Sequence, residues 1–529
     1  MKSNKYILLL TSVLLFASCD LTEIPEGGIV TEEQDSEIVA DRPELINARI
    51  NAMKSGISAF ATISGSIHAD YGVPAFSMKM DLSGEDMVCA NVGYNWFSAD
   101  LTFTNRIPTS SYNTFNWKLF YNHIKTANDC IIAVNSTFSE EERVGDVLNY
   151  LGQAYASRAY DYTQLIQVYQ LTYKGHENEL GLPIVLDTTT PEETLNNPRV
   201  TVQATYDQIL SDLNTAITYL SENPISRKDK AQITAEVAYG LRARVHMLMN
   251  NWDLAIADAE KAMAGATPYT LKEVSVPAFN DATANSWIWG SIITDQDAVV
   301  QTGIINWPSH LCSLTGNGYT TGVGVSDVFK CINVKLWNTI PDTDVRKGWW
   351  VDATLQSPVL NTAYGANGPI LGNYLNYAPY ANVKFGPEGN ELLLATNAQD
   401  WPLMRVEEMI LIKAEALAQQ GKGGEAASAL APLMAQRDPA WSMASVDVDY
   451  VYNQRRVELW GEGFALLDIL RLKKSIDRTG SNFAADVTYK IAAEDNILIY
   501  QIPESETESN KGIGANEINP VGTPPLPVK

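Results

Sequence analysis

Basic residues are scarce in this 529-residue chain: 38 Lys and Arg stand against 62 Asp and Glu, for a formal charge of −24 at neutral pH. Neutralising phosphates requires clustered cations, and the densest cluster here is no more than Arg471, Lys473 and Lys474, so a nucleic-acid binder is excluded. Cysteine is equally sparse. Five are present, and none stands in a Cys-x-x-Cys or Cys/His spacing that would hold zinc. The five histidines, His68, His123, His176, His246 and His310, are isolated from one another. There is no His-Glu-x-x-His helix, no Gly-x-Ser-x-Gly elbow and no glycine-rich phosphate loop. No enzyme class, cofactor or metal is therefore indicated. Asp295 with Asp297, and Asp342 with Asp344, lie outside any twelve-residue calcium loop and read as solvated turn residues.

Long apolar runs are also missing, with one exception at the start. Lys2 and Lys5 precede the stretch Tyr6 to Ala17, which ends at Phe16-Ala17-Ser18-Cys19. Twelve residues cannot cross a hydrocarbon core that needs about 20 as a helix, so residues 1–18 read as a cleaved signal peptide. Small residues just before Cys19 fit a lipoprotein processing site, although Phe16 stands where Leu is usual. Residues 19–28, with Pro25 and a glycine pair, suit a tether. A diacylglycerol on Cys19 would place the protein on a membrane surface. With Cys19 so assigned, Cys89, Cys130, Cys312 and Cys331 are expected to be buried free thiols.

What is abundant is helical periodicity. Asn116 to Ala133, Val147 to Tyr169, Val202 to Leu220, Ile233 to Ala264 and Pro402 to Gln420 carry apolar residues at three- and four-residue spacing. In the last, Leu403, Val406, Ile410, Ala414 and Leu417 share a face, with Asp400 and Pro402 as start signals. Two segments share a small-residue pattern: Ala243, Ala255, Ala259 and Ala262 around a turn at Asn250-Asn251, and Ala414, Ala426, Leu430 and Leu433 around Gly421, Gly423 and Gly424. Such offsets predict antiparallel hairpins of tetratricopeptide type. The fold class is mainly α, a helical-hairpin scaffold over residues 29–529 as a single domain, interrupted by irregular, strand-poor, aromatic-rich patches at 64–108 and 268–400.

The C-terminal third contains Arg405-Val406-Glu407-Glu408 running to Ala414-Glu415-Ala416, then Arg455-Arg456-Val457-Glu458-Leu459, Glu462-Gly463-Phe464 and Leu467-Asp468-Ile469 with Arg471. Tyr121-Asn122, Gly181-Leu182-Pro183-Ile184-Val185 and Ile502-Pro503 with Glu506 follow the same order along the chain. These segments resemble the SusD/RagB family of Bacteroidetes surface lipoproteins. Gln454 departs from the family's usual Glu, and Ala465 from its usual Arg. The resemblance implies a non-catalytic, lipid-anchored protein on the exterior of the outer membrane. It further implies capture of an oligo- or polysaccharide for a SusC-like TonB-dependent β-barrel transporter. Physically, Arg455, Arg456, Glu458, Glu462, Asp468 and Arg471, with Arg405, Glu408 and Glu415, are too many charges for an apolar face, and are expected to pair with one another.

Twelve Trp and 24 Tyr concentrate in the irregular patches, and a pyranose face stacks on such rings while amides and carboxylates meet its hydroxyls. Trp96 on a Gly- and Asn-rich loop is the first candidate platform, with Tyr94, Trp307, Tyr319 and Trp287 as further aromatics and Asp70 and Asn95 as hydroxyl partners. Trp287 and Trp289 alternate with Ile288, so at least one of them should enter the core. The alternative function is a helical-repeat adaptor that binds peptides or proteins in a groove along the helix pairs.

Overall fold

The computed structural model describes residues 44–60, 67–89, 96–319, 328–365 and 377–528. The signal and tether segments, Cys19, Tyr94 and Asn95 lie outside them. Among the described residues, no helix is long and apolar enough to cross a membrane.

The scaffold is a row of helices, consecutive ones packing on each other from the third to the ninth, while the first packs on the third and the second on the last. Helix α1 (Glu44–Gly56) and helix α2 (Val73–Ser83) are followed by α3 (Ser111–Thr137), α4 (Asp146–Tyr169), α5 (Val202–Glu222), α6 (Ala235–Leu248) and α7 (Trp252–Ala262). After the long irregular excursion come α8 (Val406–Gln419), α9 (Gly423–Met434), α10 (Val448–Glu458) and α11 (Ala465–Arg471). Helix α3 packs on α4, and the succession runs through α5, α6 and α7 to α8, which contacts α9 and α10. Both hairpins expected from their small residues are present, as α6–α7 and α8–α9. Ala243, Ala255, Ala259, Ala262, Ala414, Ala426, Leu430 and Leu433 are all buried, because methyl-sized groups let two backbones approach. The turn between α6 and α7 is made at Asn250, in the left-handed region with φ 61°, which Asn tolerates. Helices α4 and α5 pack tightly at Gly152, where a Cβ would stand 2.8 Å from Leu220 Cγ.

Side-chain caps fix the starts of two of these helices. The Thr201 side chain accepts from the Ala204 amide at the head of α5, and Asp447 does the same for Tyr450 at the head of α10, each satisfying an otherwise orphan donor.

Among the described residues, eight short strands form antiparallel pairs: β1 (Met87–Cys89) with β5 (Lys330–Ile332), β2 (Leu180–Pro183) with β3 (Arg199–Thr201), β4 (Trp287–Ser291) with β6 (Trp401–Arg405), and β7 (Ile476–Asp477) with β8 (Lys490–Ile491). Strand β6 corrects the sequence reading: Asp400 and Pro402 do not start a helix. Residues 401–405 instead pair with β4, Ser291 opposite Trp401 and Trp287 opposite Arg405. The Asp400 carboxylate accepts from the backbone N–H groups of Ala282 and Ile293. The helix begins only at Val406, and Leu403 belongs to the strand. A helical spacing of apolar residues ran into a strand buried on both faces, which carries no alternation to betray it.

Candidate functional site

The site is assembled from three segments far apart in sequence. Trp96 precedes a short helical turn, Ser98–Leu101. His68 lies in a turn closed by the Asp70 N–H donating to the Ile67 carbonyl at 3.1 Å. The third segment is the short helix Trp307–Leu311, whose first turn is fixed by Pro308 and by the Asn306 side chain accepting from the Ser309 N–H. The Tyr319 N–H donates to the Ser309 carbonyl at 2.8 Å, which lays Tyr319 against that helix. Gly318 permits this: a Cβ there would stand 2.4 Å from the Ser309 Cα.

These contacts build a ladder of rings. The Trp96 indole stacks on the His68 imidazole with centroids 4.3 Å apart and planes 14° from parallel. Tyr319 meets His68 at 4.9 Å and 85°, and Trp96 at 6.3 Å and 72°. Deeper, His310 lies between Tyr319 (5.1 Å, 19°) and Tyr71 (5.8 Å, 12°), with Phe97 edge-on at 5.2 Å. His68 Nε2 is 3.2 Å from the Tyr319 hydroxyl, and His68 Nδ1 is 3.4 Å from His310 Nε2. Burial lowers the His68 pKa to about 4 and holds that of His310 well below the usual imidazole value, so both rings are neutral at pH 7. Only Trp96 comes forward, at 38% exposure, while His68 is buried at 7%.

The other sequence candidates distribute unevenly. Tyr319 joins Trp96, half-buried beside it. Asp70 is close in sequence but only 4% exposed, and its charge is felt by the buried Lys79 ammonium; it faces inward and not toward a surface sugar. Trp307 and Trp287 are corrections. Trp307 is 1% exposed, donates from Nε1 to the Gln399 carbonyl at 2.9 Å and packs against Trp401 and Phe385. The Asn306-Trp307-Pro308 run is a helix start and not a loop tip. Trp287 is fully buried and donates to the Tyr269 hydroxyl at 2.9 Å. Trp289, turned to the other face by a β-bulge that sets Trp287 opposite Arg405 and Trp289 opposite Met404, is also buried and lies edge-on to Tyr160 of α4 at 5.1 Å. Both faces of β4 are covered, so strand alternation exposes neither. Sequence reasoning passed over His68, His310, Tyr71 and Phe97; the separation of 242 positions between the two histidines leaves no local trace, although His68, Asp70 and Tyr71 fall within four positions.

The charged residues of the C-terminal third form the expected paired network, and it is buried. Glu458 accepts from Arg437 at 2.9 and 3.0 Å, with Arg405 and Arg346 each at 3.4 Å. Although burial opposes the charge, these three guanidiniums hold the Glu458 carboxyl well below the carboxylate range. Glu462 accepts from Arg405 Nε at 2.8 Å and from Lys384 Nζ at 2.7 Å. A second set joins Arg455 to Asp468, and Arg471 to Asp468 and Glu415. Arg244 binds Glu408, and Arg456 binds Glu85 and Asp86. Gln454 accepts from Arg346 Nη2 at 2.5 Å, and the Ala465 N–H donates to Asp81, so both departures from the family pattern keep a local bond. Asp344 corrects the reading of a solvated turn: it is buried and chelates Arg346. Lys384, Arg346 and Arg437 had no sequence signal as partners.

Among the described residues, two of the concavities on the helical side are the most relevant to a groove reading. One of about 720 Å³ is lined by Tyr160, Arg244, Glu408, Phe464 and Asp468. The other, about 1200 Å³, opens where α5, α6 and α7 end near Arg227, Lys230, Tyr239 and Ala262.

With this geometry in place, comparison with known proteins is decisive for kinship. A family model described as "Starch-binding associating with outer membrane" matches residues 32–247, and the SusD family model matches residues 343–520. The chain belongs to the SusD/RagB family. This SusD/RagB protein is 21% identical over 523 residues to the SusD-like protein P38 of Formosa agariphila, spanning 89% of this chain and 92% of that one. Its fold is that of a SusD-like carbohydrate binding protein from Bacteroides vulgatus, with TM-score 0.72, 22% identity, and 90% and 98% of the two chains covered. It also matches surface glycan-binding protein A from Bacteroides thetaiotaomicron in complex with laminarihexaose, with TM-score 0.63, 17% identity, and 89% and 98% covered. The mainly helical scaffold with hairpin pairs is thus the SusD architecture.

Proposed function

We propose that this SusD/RagB protein binds oligo- or polysaccharide without transforming it. In this reading it sits at the cell exterior, held to the outer membrane by lipid on Cys19, and passes glycan to a SusC-like TonB-dependent transporter. The observation that carries the glycan reading is Trp96: a flat indole face brought to the surface on a buried ring stack, with Tyr319 beside it. Exposed aromatic area of this kind matches the C–H face of a pyranose. The family match and the names of the structural relatives, among them a laminarin-binding SusD-like protein, support the same class of ligand. Tyr94 and Asn95, immediately before Trp96 in the chain, are assigned as its companions. The charge network supports a structural role for the conspicuous carboxylates, because each is committed to a guanidinium or ammonium.

The test is a glycan array with protein lacking residues 1–19, followed by calorimetry on Trp96→Ala. Loss of a stacking ring costs about 1–3 kcal/mol, or about 5- to 150-fold in affinity, with an unchanged melting temperature. Unchanged affinity would move the platform elsewhere. The transporter reading predicts co-purification with a large β-barrel in mild detergent, over an interface above about 2,000 Å²; recovery as a lone monomer from several detergents would count against it. A second reading, a peptide-binding adaptor, draws on the concavity at the ends of α5 to α7, and an empty glycan array with capture on a peptide array would favour it.

A further inference from the structure

The structure assigns His68 as the positioning residue of the Trp96 platform: its imidazole covers one face of the indole and presents the other to ligand. The inference rests on the glycan reading of Trp96 given above.

An exposed tryptophan on an irregular segment would sample several rotamers, and immobilising such a side chain on binding costs conformational entropy. Here the ring has a near-parallel partner at 4.3 Å, which leaves one face and the edges to account for its exposure. His68 can serve because it is itself fixed on both ring nitrogens, Nε2 facing the Tyr319 hydroxyl and Nδ1 facing His310 Nε2. His310 in turn is buried between Tyr71 and Tyr319, and its helix is anchored by the Asn306 cap. The order of the core is thereby transmitted through His310 and His68 to the exposed indole. His68 is not expected to touch glycan, because it is buried beneath the ring. A flat neutral ring is what the position requires. Phenylalanine would keep the stacking face and lose only the two polar contacts, whereas leucine or alanine would lose the face.

The test needs no glycan. Acrylamide quenching at pH 7 reads the accessibility of Trp96 as the difference between each protein and its counterpart carrying Trp96→Phe, which removes the signal of the remaining tryptophans. With one face covered in the wild type, opening the second should raise the Trp96 quenching constant about twofold in His68→Ala. His68→Phe should return it close to the wild-type value, and His68→Leu, closer in volume, covers the case of an alanine variant that does not fold. Equal quenching in wild type and in the folded alanine or leucine variant would overturn the assignment, as would a phenylalanine variant no better than leucine. Because the readout is independent of ligand, an array on which the wild type binds no glycan would defeat the functional reading and leave this result standing on its own.

Discussion

Helix α1, the first described element after the expected tether, is fastened by one side chain whose removal gives a worked prediction. His123 of α3 places Nδ1 2.9 Å from both carboxylate oxygens of Asp161 on α4, and Nε2 2.6 Å from the Met53 carbonyl on α1. Both ring nitrogens face acceptors, and only the imidazolium can donate twice. Burial works against that charge, but the Asp161 charge and hydrogen bond, with the Met53 carbonyl, hold the His123 pKa above its ordinary 6.5. Burial pushes Asp161 up to about 6 despite its partner. In His123→Ala a buried carboxylate is left without its cation, which costs about 3–5 kcal/mol. With an unfolding entropy of ~2.1 cal/mol/K per residue, a chain of 529 residues should melt about 3–5 °C lower. Hydrogen exchange should report lost protection along Glu44–Gly56. The sign with pH also follows. A histidine whose pKa is raised in the folded state contributes fully below its unfolded value near 6.5 and loses that contribution as pH rises through the folded value. The neutral pair His123→Gln with Asp161→Asn has no such proton to lose, so the melting temperature of the wild type relative to this double variant should fall as pH rises above about 6.5. A flat difference across that range, or a His123→Ala protein that melts with the wild type and keeps α1 protected, would refute the reasoning.

Replacing Arg437 by Ala leaves Glu458 and Glu407 short of a buried partner and should cost about 3–5 kcal/mol, whereas Lys125→Ala, which breaks a solvent-exposed pair with Asp129, should leave the thermal melt unchanged within error. Gly152→Val should lower the melting temperature by forcing α4 and α5 apart, a loss of about 1–3 kcal/mol; a neutral result would mean that the interface yields more easily than its 2.8 Å clearance to Leu220 implies. Cys19→Ala should shift the protein from the membrane to the soluble fraction on cell fractionation, since the acyl chains supply the anchoring energy; retention of the variant in cells lacking the transporter would remove the lipid-anchor assignment.

Most of the long helices were legible because they show one wet and one dry face, and the small-residue offsets of Ala243 to Ala262 and Ala414 to Leu433 survive as real interhelical contacts; α2, buried at every position, carries no such period and lies inside the patch 64–108 expected to be irregular. The charge pairing of the C-terminal third was legible for a different reason: so many ionised groups on apolar helices cannot be buried singly. The candidate site was legible only at its tip. Trp96 announces itself by polar, glycine-rich neighbours, but the rings beneath it come from positions 68, 71, 310 and 319, which only the tertiary fold brings together. Trp287 and Trp307 misled because aromatic residues in irregular segments resemble surface residues in composition, while here their indole N–H groups find buried carbonyl or hydroxyl partners. Strand β6 was hidden because both its faces are covered, so neither a helical nor a strand period distinguishes it.

The four thiols of the described chain, Cys89, Cys130, Cys312 and Cys331, are buried and none is in a disulfide. Burial pushes Cys130 and Cys312 up to about 12 and raises Cys331 as well. At neutral pH a thiol of pKa 12 is thiolate only about once in 10⁵ molecules, and the sulfur is walled off besides. In the form lacking residues 1–19, the molecular surface is therefore silent toward maleimides. A single cysteine introduced beside Trp96 can carry a fluorophore without removal of any native residue, which turns the ring platform into an optical reporter.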